Sequence, residues 1–380
     1  MGVNGVKSWN DETTGRRIRQ MTDMPLGAHT SYFRLPHNIP GGWVIIAGHV
    51  EQHRSNIFCL HIDSGELRDT SINMRDSLFL REQDGRLFYR DGRHIWAINL
   101  PDGQPEPIGS LPDEVPGKPV IITCDGRVVI SQVIVDPDVD RLLADISDEP
   151  DTYWNCVYRR RSTTLYAYDL VDKTSRLLWH NDTRRAHHLD PSPTDPTLFK
   201  FAPDGPAMYE QRILAARVTE GEAWKIYPQQ RGELTVHEFW WPDGLHIGYK
   251  YQDRRDDPTV RELPYAEYAP VPTRFCIADV NGDEIYRSDP INCWHTHICV
   301  SPDAMLLSGE GTHDHMFVYA ALFDQKSTTI DFIPLATLHS KYHPFSAAMV
   351  NSVFLADCKT LIYGDTIDGK LQVCAVEVDL

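Results

Sequence analysis

The pair Arg212 and His237 offers the clearest chemistry in this sequence. His237 follows Arg212 by 25 positions and begins the run His-Glu-Phe-Trp-Trp-Pro-Asp-Gly, which ends at Gly244. An arginine can fix a carboxylate, and a neutral imidazole can remove a proton from the carbon beside it near neutral pH. Because Arg212 lies one repeat before His237, both side chains could face the same space. We predict a site in which the two act together on a carboxylate ligand.

Histidines recur in this chain just before an Asp or Asp-Gly turn. The sequence holds 17 histidines, and His295 and His297 fall on one face of a predicted strand because side chains alternate with period two. That spacing suits a metal ion, and His339 with His343, one repeat later, could add a ligand. The alternative is that some of these histidines only form hydrogen bonds between repeats. His313 and His315 fit a polar loop better than a ligand set.

A further histidine pair, His187-His188, follows Arg184-Arg185. One of the two imidazoles could project to the rim of a site, and the arginines could steer an anion toward it. The other interpretation of the arginines is a solvated face. The aromatic residues Trp240 and Trp241 could stack on sugar rings, although aromatic residues in such strands are more often part of the core.

Seven similar segments position these residues along the chain. Each has a Gly or Asp turn, an apolar strand, a second strand ending near Asp-Leu or Asp-Val, another turn and a short outer strand. Asp-Gly and Asn-Gly supply the hairpin turns. The segments begin near Gly41, Asp84, Asp125, Asp195, Asp243, Asp303 and Asp357.

This repeat predicts an all-β fold, a seven-bladed β-propeller with four-stranded antiparallel blades. We predict a single domain over residues 1–380 with an insertion near 136–161, which would form a helix or a long loop. Residues 17–21 are predicted to supply an outer strand that completes the last blade with the C-terminal strands 360–363 and 371–378. A propeller holds ligands where strand entrances and inter-blade loops converge.

Composition narrows the classes of partner. The net charge of −17 opposes binding to nucleic acid or to an anionic membrane, so an anionic small ligand would need a local positive pocket. We expect no transmembrane helix, because no run of 18 apolar residues occurs. The eight cysteines form no C-x-x-C motif, and they are expected to be buried free thiols. With no signal-peptide pattern at the N-terminus, we expect a cytoplasmic protein.

Motifs spread over most of the chain resemble those of a known family, the oligogalacturonate lyases. These lyases are seven-bladed propellers that cleave short pectin fragments by β-elimination. The His-Glu-Phe-Trp run is the most specific motif, and the others are weak singly but occur in the right order. The matching elements are the segment 14–22, His29-Thr-Ser-Tyr-Phe33, His188, Gly205-Pro206, Arg212, the run from His237 to Gly244, His297 before Ser308-Gly-Glu-Gly311, and His343-Pro-Phe-Ser346.

The resemblance implies a role for each matching residue. His237 would be the Brønsted base and Arg212 would contact the carboxylate of a small anionic oligosaccharide. A divalent metal of the manganese type would be held by His297 and His343. We predict further substrate contacts at His188, His29, Tyr32 and Lys341.

This sequence departs from the family at the last metal motif. The family has a second histidine two positions before the His-Pro and a glutamine three positions before that, where this chain has Lys341 and Leu338. His339 or His295 could substitute as the metal ligand, or Lys341 could replace the charge of the cation. Two alternatives follow. One is a lyase of the same fold that acts on a different uronide with an altered metal or none. The other is a non-catalytic binding propeller like the TolB-type domains. The sequence leaves the oligomeric state open.

Overall fold

A computed structural model describes most of the chain. The described residues are 7–52, 54–136, 161–203, 211–255, 272–291, 295–311, 316–339 and 350–380, without the side chains of 295 and 296. His343, Lys341, His313 and His315 lie outside these ranges, as does the interior of the predicted insertion, between Asp136 and Arg161.

The strands form seven antiparallel sheets, and each sheet is one blade. Two strands come before the first blade, β1 (Lys7–Asn10) and β2 (Arg17–Gln20). Blade 1 contains β3 (Ala28–Thr30), β4 (Asn38–Ile39), β5 (Trp43–Glu51), β6 (Arg54–His61) and β7 (Leu67–Asn73). Blade 2 contains β8 (Ser77–Arg81), β9 (Arg86–Asp91), β10 (His94–Asn99) and β11 (Glu106–Ser110).

The middle blades have four strands each, in sequence order. Blade 3 contains β12 (Lys118–Ile122), β13 (Val128–Val135), β14 (Ser162–Asp169) and β15 (Ser175–Asn181). Blade 4 contains β16 (Ala186–Pro191), β17 (Leu198–Pro203), β18 (Leu214–Arg217) and β19 (Ala223–Lys225). Blade 5 contains β20 (Glu233–Trp240), β21 (His246–Asp253), β22 (Thr273–Asp279) and β23 (Glu284–Arg287).

The last two blades complete the fold. Blade 6 contains β24 (His295–Val300), β25 (Leu306–Gly311), β26 (Phe317–Leu322) and β27 (Ile333–Thr337). Blade 7 combines β28 (Val353–Phe354), β29 (Thr360–Ile367) and β30 (Lys370–Glu377) with β1 and β2, in the order β1-β2-β30-β29-β28. The prediction of a seven-bladed β-propeller with four-stranded antiparallel blades is confirmed.

The N-terminal strand lies where the sequence predicted it. Strand β2 pairs antiparallel with β30, with Ile18 opposite Val376 and Gln20 opposite Cys374. Strand β1 adds one further strand outside β2, which was not predicted. The only helix in the described ranges is a single 3-10 turn, Met74–Asp76, and none of these residues forms a helix long and apolar enough to cross a membrane.

The predicted turns are built on aspartate side chains. In six blades an aspartate Oδ1 accepts the backbone N–H of the residue two positions later, over distances between 2.8 and 3.3 Å. These turns connect the first and second strands of their blades. Each repeat segment identified in the sequence therefore begins just before the second strand of its blade, not before the first. The residues are Asp84, Asp125, Asp195, Asp243, Asp303 and Asp357.

By contact density the chain divides into two compact units, residues 1–89, 97–106 and 288–380, and residues 90–96 and 107–287. Within each unit, apolar clusters fill the space between successive sheets. One cluster joins blades 4 and 5 through residues such as Ile213 and Tyr249, and another joins blades 6 and 7. The six described cysteines are free thiols, all buried except the half-buried Cys358. The single-domain assignment stays a prediction.

Candidate functional site

The first strands of blades 4, 5 and 6 share a β-bulge at the candidate histidines. In β20, Val236 pairs with Lys250 and Phe239 with Gly248, so that His237 and Glu238 together oppose one residue. The same shift occurs in β16 around His188 and in β24 around His297. A bulge of this kind re-aims side chains and is frequent beside functional sites. The bulge therefore recurs in all three strands, with His188 and His237 as its first residue and His297 as its second.

Two of these histidines have an unusual backbone conformation. His188 has a φ of 48° and His237 a φ of 57°. Both are the first residue of their bulge, where a left-handed conformation is uncommon for a residue with a Cβ. Such a conformation persists only where the surrounding structure holds it, and it is frequent at ligand sites.

A buried carboxylate, Glu238, connects the candidate residues of blades 4 and 5. Its Oε1 lies 2.7 Å from Nδ1 of His188, and its Oε2 lies 3.4 Å from Nε of Arg212. The Glu238 side chain is completely buried, whereas His188 and Arg212 keep 10% and 13% of their side chains exposed. His237 precedes Glu238 in the bulge. The structure thus places Arg212 and His188 at one carboxylate, and His237 is its neighbour in the chain.

The contacts define the tautomer of His188. A carboxylate can only accept, so Nδ1 of His188 carries the hydrogen that it donates to Glu238. Arg212 Nη2 also lies 3.3 Å from this Nδ1, but a guanidinium has donors alone, so this contact is not a hydrogen bond between the two. In the neutral ring, Nε2 of His188 is therefore the acceptor.

The charges around Glu238 keep it ionised. Burial would raise the pKa of the Glu238 carboxyl, but the charges of Arg212 and His188, the hydrogen bond from His188 and the charge of Lys200 outweigh burial and hold it well below its usual value. Lys200 is itself fully buried and donates to Asp190 Oδ2 at 2.6 Å and to the main-chain oxygen of Glu238 at 3.2 Å. When His188 is neutral, the charges of Arg212 and Lys200 balance those of Glu238 and Asp190 inside this cluster.

Neighbouring residues hold Arg212 and the strands that carry the site. The Arg212 backbone N–H donates to Oε1 of Gln229 at 3.1 Å, and the hydroxyl of Thr235 donates to the same oxygen at 2.8 Å. Trp240 donates its indole N–H to the main-chain oxygen of Asp190 at 3.1 Å. Trp240 thus joins blade 5 to blade 4 through a hydrogen bond, in addition to its packing.

The turn at Gly244 fixes blade 5 against blade 4. Gly244 has a φ of 69°, and a Cβ there would collide with the side chains of Ser192 and Thr194. Ser192 donates its hydroxyl to the oxygen of Gly244 at 2.8 Å, and Thr194 donates to the oxygen of Asp243 at 2.6 Å. A glycine is required at this position because of both its conformation and the close approach.

A second histidine–carboxylate pair lies in blade 6. His297 donates from Nδ1 to the buried Glu310 of the neighbouring strand β25, in a short hydrogen bond. Ser352 donates its hydroxyl to the other oxygen of Glu310 at 3.3 Å. Phe33 stacks on the His297 ring at 4.5 Å, and Tyr32 meets that ring edge-on at 5.3 Å. These contacts fix both the ring plane and the tautomer of His297.

His29 and His339 have local partners of their own. His29 donates from Nδ1 to the oxygen of Thr30 at 2.8 Å, and its ring lies 5.3 Å from that of His49. Burial lowers the pKa of His29. His339 has a half-exposed ring whose Nδ1 lies 2.8 Å from the buried carboxylate of Asp365.

Only part of the predicted metal site lies among the described residues. A metal-ligating imidazole usually donates its other N–H to a carboxylate, as His297 does to Glu310 and His339 to Asp365. Yet no group of three or more His, Cys, Asp or Glu side chains that could hold a metal ion exists among the residues that the structure describes. His343 and Lys341 fall outside that part of the chain.

Sequence reasoning missed the buried carboxylates. Glu238 and Glu310 occur in the quoted motifs but were not predicted to be site residues. Asp190 and Lys200 were not identified as candidates at all. The available signal was an ionisable residue inside an otherwise apolar strand, since such a residue is rarely buried without a partner.

The fold is shared with two solved oligogalacturonate lyases. A structure described as an oligogalacturonate lyase in complex with manganese matches with a TM-score of 0.74 at 19% sequence identity, over 99% of this chain and 96% of that chain. An oligogalacturonate lyase from Vibrio parahaemolyticus matches with a TM-score of 0.71 at 14% identity, over 99% of this chain and 97% of that one. The chain has the fold of these lyases.

Other propellers match less well. The WD40 repeats of RRP9 match with a TM-score of 0.50 at 10% identity, over 98% of this chain and 100% of that chain. No family model matches the sequence, and no curated protein does either.

Proposed function

We propose that this protein is a lyase that cleaves short uronic-acid oligosaccharides, such as oligogalacturonates, by β-elimination. The observation that carries the proposal is the arrangement around Glu238, in which one buried carboxylate contacts Arg212 and His188 beside His237. The fold shared with two oligogalacturonate lyases supports the same substrate class.

In the proposed reaction, Arg212 binds the C6 carboxylate of a uronate and His237 removes the proton from C5. The electron pair of the C5–H bond forms the C4–C5 double bond, and the C4–O bond breaks with its pair going to the leaving oxygen. That oxygen then takes a proton, so the products are a 4,5-unsaturated uronate and a shortened sugar. A neutral imidazole suits the base because its proton affinity is matched to neutral pH.

Arg212 would stabilise the anion that forms when the proton leaves. The developing charge spreads onto the carboxylate, and a guanidinium already held in place interacts with it without reorganising. A preorganised donor of this kind is worth about 3–4 kcal/mol of transition-state stabilisation, and a positioned base contributes about 10²–10⁴-fold.

A divalent cation, Mn²⁺ in the first instance, would be held by His297 with His339 or His343. When bound, such a cation supplies positive charge to the uronate carboxylate. The pairing of His297 with Glu310 supports this assignment, since it presents Nε2 as the electron-pair donor. His188, His29, Tyr32 and Lys341 remain the proposed substrate contacts.

The first experiment follows the ultraviolet absorbance of the unsaturated uronate. Digalacturonate and trigalacturonate are each incubated with the protein, with Mn²⁺ or with EDTA, and a keto-acid assay runs in parallel because the product of digalacturonate opens. We expect product formation that EDTA reduces. Product from other uronides alone would identify a different substrate, and no product from any uronide, together with no bound metal, would favour a non-catalytic binding module.

Substitution of His237 tests the base directly. His237→Ala should lower kcat by about 10²–10⁴-fold without unfolding the protein, because only proton removal is lost. His94→Ala is the matched control, since His94 is exposed on β10. Near-normal turnover by His237→Ala would exclude His237 as the base.

A further inference from the structure

We propose that Glu238 is a positioning residue that sets the tautomer of His188 and the orientation of Arg212 at the same time. The kinetic part of this inference rests on the proposed lyase function. The structural part, which concerns the state of His188, does not.

The two carboxylate oxygens of Glu238 have different partners. Oε1 of Glu238 accepts from His188 at 2.7 Å, while Oε2 faces Nε of Arg212 at 3.4 Å. An ionised carboxylate accepts at both oxygens, whereas an amide offers one acceptor and one donor. Because both partners are donors, only a carboxylate can serve the two together.

Glu238 cannot easily move. Its side chain is fully buried, and its main-chain oxygen accepts from the buried Lys200 at 3.2 Å. Lys200 in turn forms an ion pair with Asp190, and both of these residues lie in blade 4. The carboxylate is thus fixed at the backbone as well as at its oxygens, so it can transmit its own position to both partners.

The residues that Glu238 would position are His188 and Arg212. His188 is packed against the ring of His187 at 4.4 Å and has a left-handed backbone, so its ring has little freedom once Nδ1 is bound. Arg212 is held at its backbone by Gln229, and Glu238 contacts the guanidinium end of the same residue. A ligand carboxylate would therefore meet a guanidinium that is oriented before the ligand arrives.

Glu238 is also linked to the proposed base, His237. His237 and Glu238 are the two residues of one bulge, so a shift of the Glu238 main chain also shifts His237. A group that supports a functional side chain in this way commonly costs about 10–100-fold in activity when it is replaced.

The test compares Glu238→Gln and Glu238→Asp with the matched control Glu233→Gln. Glu233 lies on the same strand β20, is also buried and accepts from the hydroxyl of Tyr251 at 2.9 Å. We expect Glu238→Gln to lower kcat/KM by about 10–100-fold and Glu238→Asp, which keeps the charge, to recover part of that loss. In Glu233→Gln the amide likewise loses one acceptor, because Oε2 of Glu233 accepts from the backbone N–H of Gln230 at 2.7 Å. Its activity should nevertheless stay within about twofold of the wild type, because the side-chain partners of Glu233 are Tyr227, Tyr251 and Gln230 and not His188 or Arg212.

The second readout is nitrogen NMR of protein labelled at histidine, with His188→Gln used to identify the His188 signal. In the unmodified protein at neutral pH, we expect His188 to carry its hydrogen on Nδ1. In Glu238→Gln this preference should weaken, because the amide cannot satisfy both donors. A role limited to general stability would lower the yield or the melting temperature without changing this signal.

The outcomes separate the two proposals. If the wild type cleaves no uronide but His188 carries its hydrogen on Nδ1 and loses that preference in Glu238→Gln, the lyase function fails and the positioning role stands. If His188 carries its hydrogen on Nε2 in the wild type, or if Glu238→Gln leaves the tautomer unchanged, the positioning role is wrong. If Glu238→Gln does not fold, a hydrogen on Nδ1 of His188 in both the wild type and Glu238→Asp supports the positioning role, and a hydrogen on Nε2 in the wild type overturns it.

Discussion

The Glu238 and Glu310 sites contain the same pair of residue types, a buried glutamate and a histidine, in two different surroundings. In both, a buried glutamate accepts a hydrogen bond from Nδ1 of a histidine at a β-bulge. In the Glu238 site the histidine belongs to the preceding blade, and an arginine shares the carboxylate. In the Glu310 site the histidine belongs to the adjacent strand of the same blade, and a serine hydroxyl shares the carboxylate.

This difference separates two kinds of chemistry. A carboxylate next to a guanidinium and an imidazole orients positive charge toward an incoming anion. The carboxylate of Glu310 has no lysine or arginine within salt-bridge distance among the described residues, and its histidine is fixed by aromatic rings instead. A neutral imidazole held in this way suits a metal ligand or a simple acceptor. The same histidine–glutamate pair, placed in two blades, thus has different neighbours, and we expect its role to differ with them.

The largest expected contrast is in stability. Glu238→Ala leaves a guanidinium without its buried carboxylate and should lower the free energy of unfolding by about 3–5 kcal/mol. Glu310→Ala removes the hydrogen-bond acceptor of the His297 imidazole and should cost about 1–3 kcal/mol. Urea unfolding followed by tryptophan fluorescence measures both. Equal losses, or a larger loss for Glu310→Ala, would mean that the arginine does not distinguish the two sites.

The next contrast is in metal binding, which can be measured without any substrate. Titration of Mn²⁺ followed by electron paramagnetic resonance should show that Glu310→Ala weakens binding by about 10–100-fold, because His297 loses the carboxylate that orients it. Glu238→Gln should leave the Mn²⁺ affinity as it is in the wild type. An effect of the same size in both variants would contradict the division of roles, and no Mn²⁺ binding by the wild type would remove the metal from the proposal.

The smallest expected effect is on the pH dependence of stability. The pKa of Glu238 is lowered in the folded protein, so the unfolded chain takes up this proton first as the pH falls. The stabilisation is therefore complete above the pKa of an unfolded glutamate and is lost as the pH falls from there toward the folded pKa. Glu238→Gln should flatten the acid limb of a plot of unfolding free energy against pH. The two curves should run parallel near neutral pH, and parallel curves in acid would contradict the assignment.

Much of the architecture could be predicted from sequence because its signals are local. The turn aspartates act within two residues of themselves, and strand alternation follows from which side chains are buried. The pairing of residues 17–20 with the C-terminal strand was predicted as well, because the last blade lacked an outer strand of its own. Strand β1 and the 3-10 turn at Met74–Asp76 were not predicted, since neither has a periodic pattern long enough to read.

The site was predicted only at the level of its histidines and its arginine. Residue types identified Arg212, His237 and His188 as candidates, and their roles stay predictions. The Glu238 carboxylate, which contacts His188 and Arg212, could not be predicted. His188 and Glu238 are 50 residues apart and come into contact only when two blades pack. The bulge determines which neighbouring residues point to the same face of the sheet. It likewise cannot be predicted from a pattern of alternating polar and apolar residues. Even the His297–Glu310 contact, over 13 residues, depends on the register of one hairpin.

Strand β2 has a consequence for how the protein is made. A ribosome produces this strand before the strands of blades 1 to 6, whereas its partner β30 is produced after them. Until β30 is made, the edge of β2 that pairs with it must remain free, and the two arginines of β2, Arg17 and Arg19, would discourage wrong pairing with another strand. Contacts so distant in sequence form slowly. Blade 7 can therefore form only after β30 has been made, and a chain that stops before β30 cannot complete it.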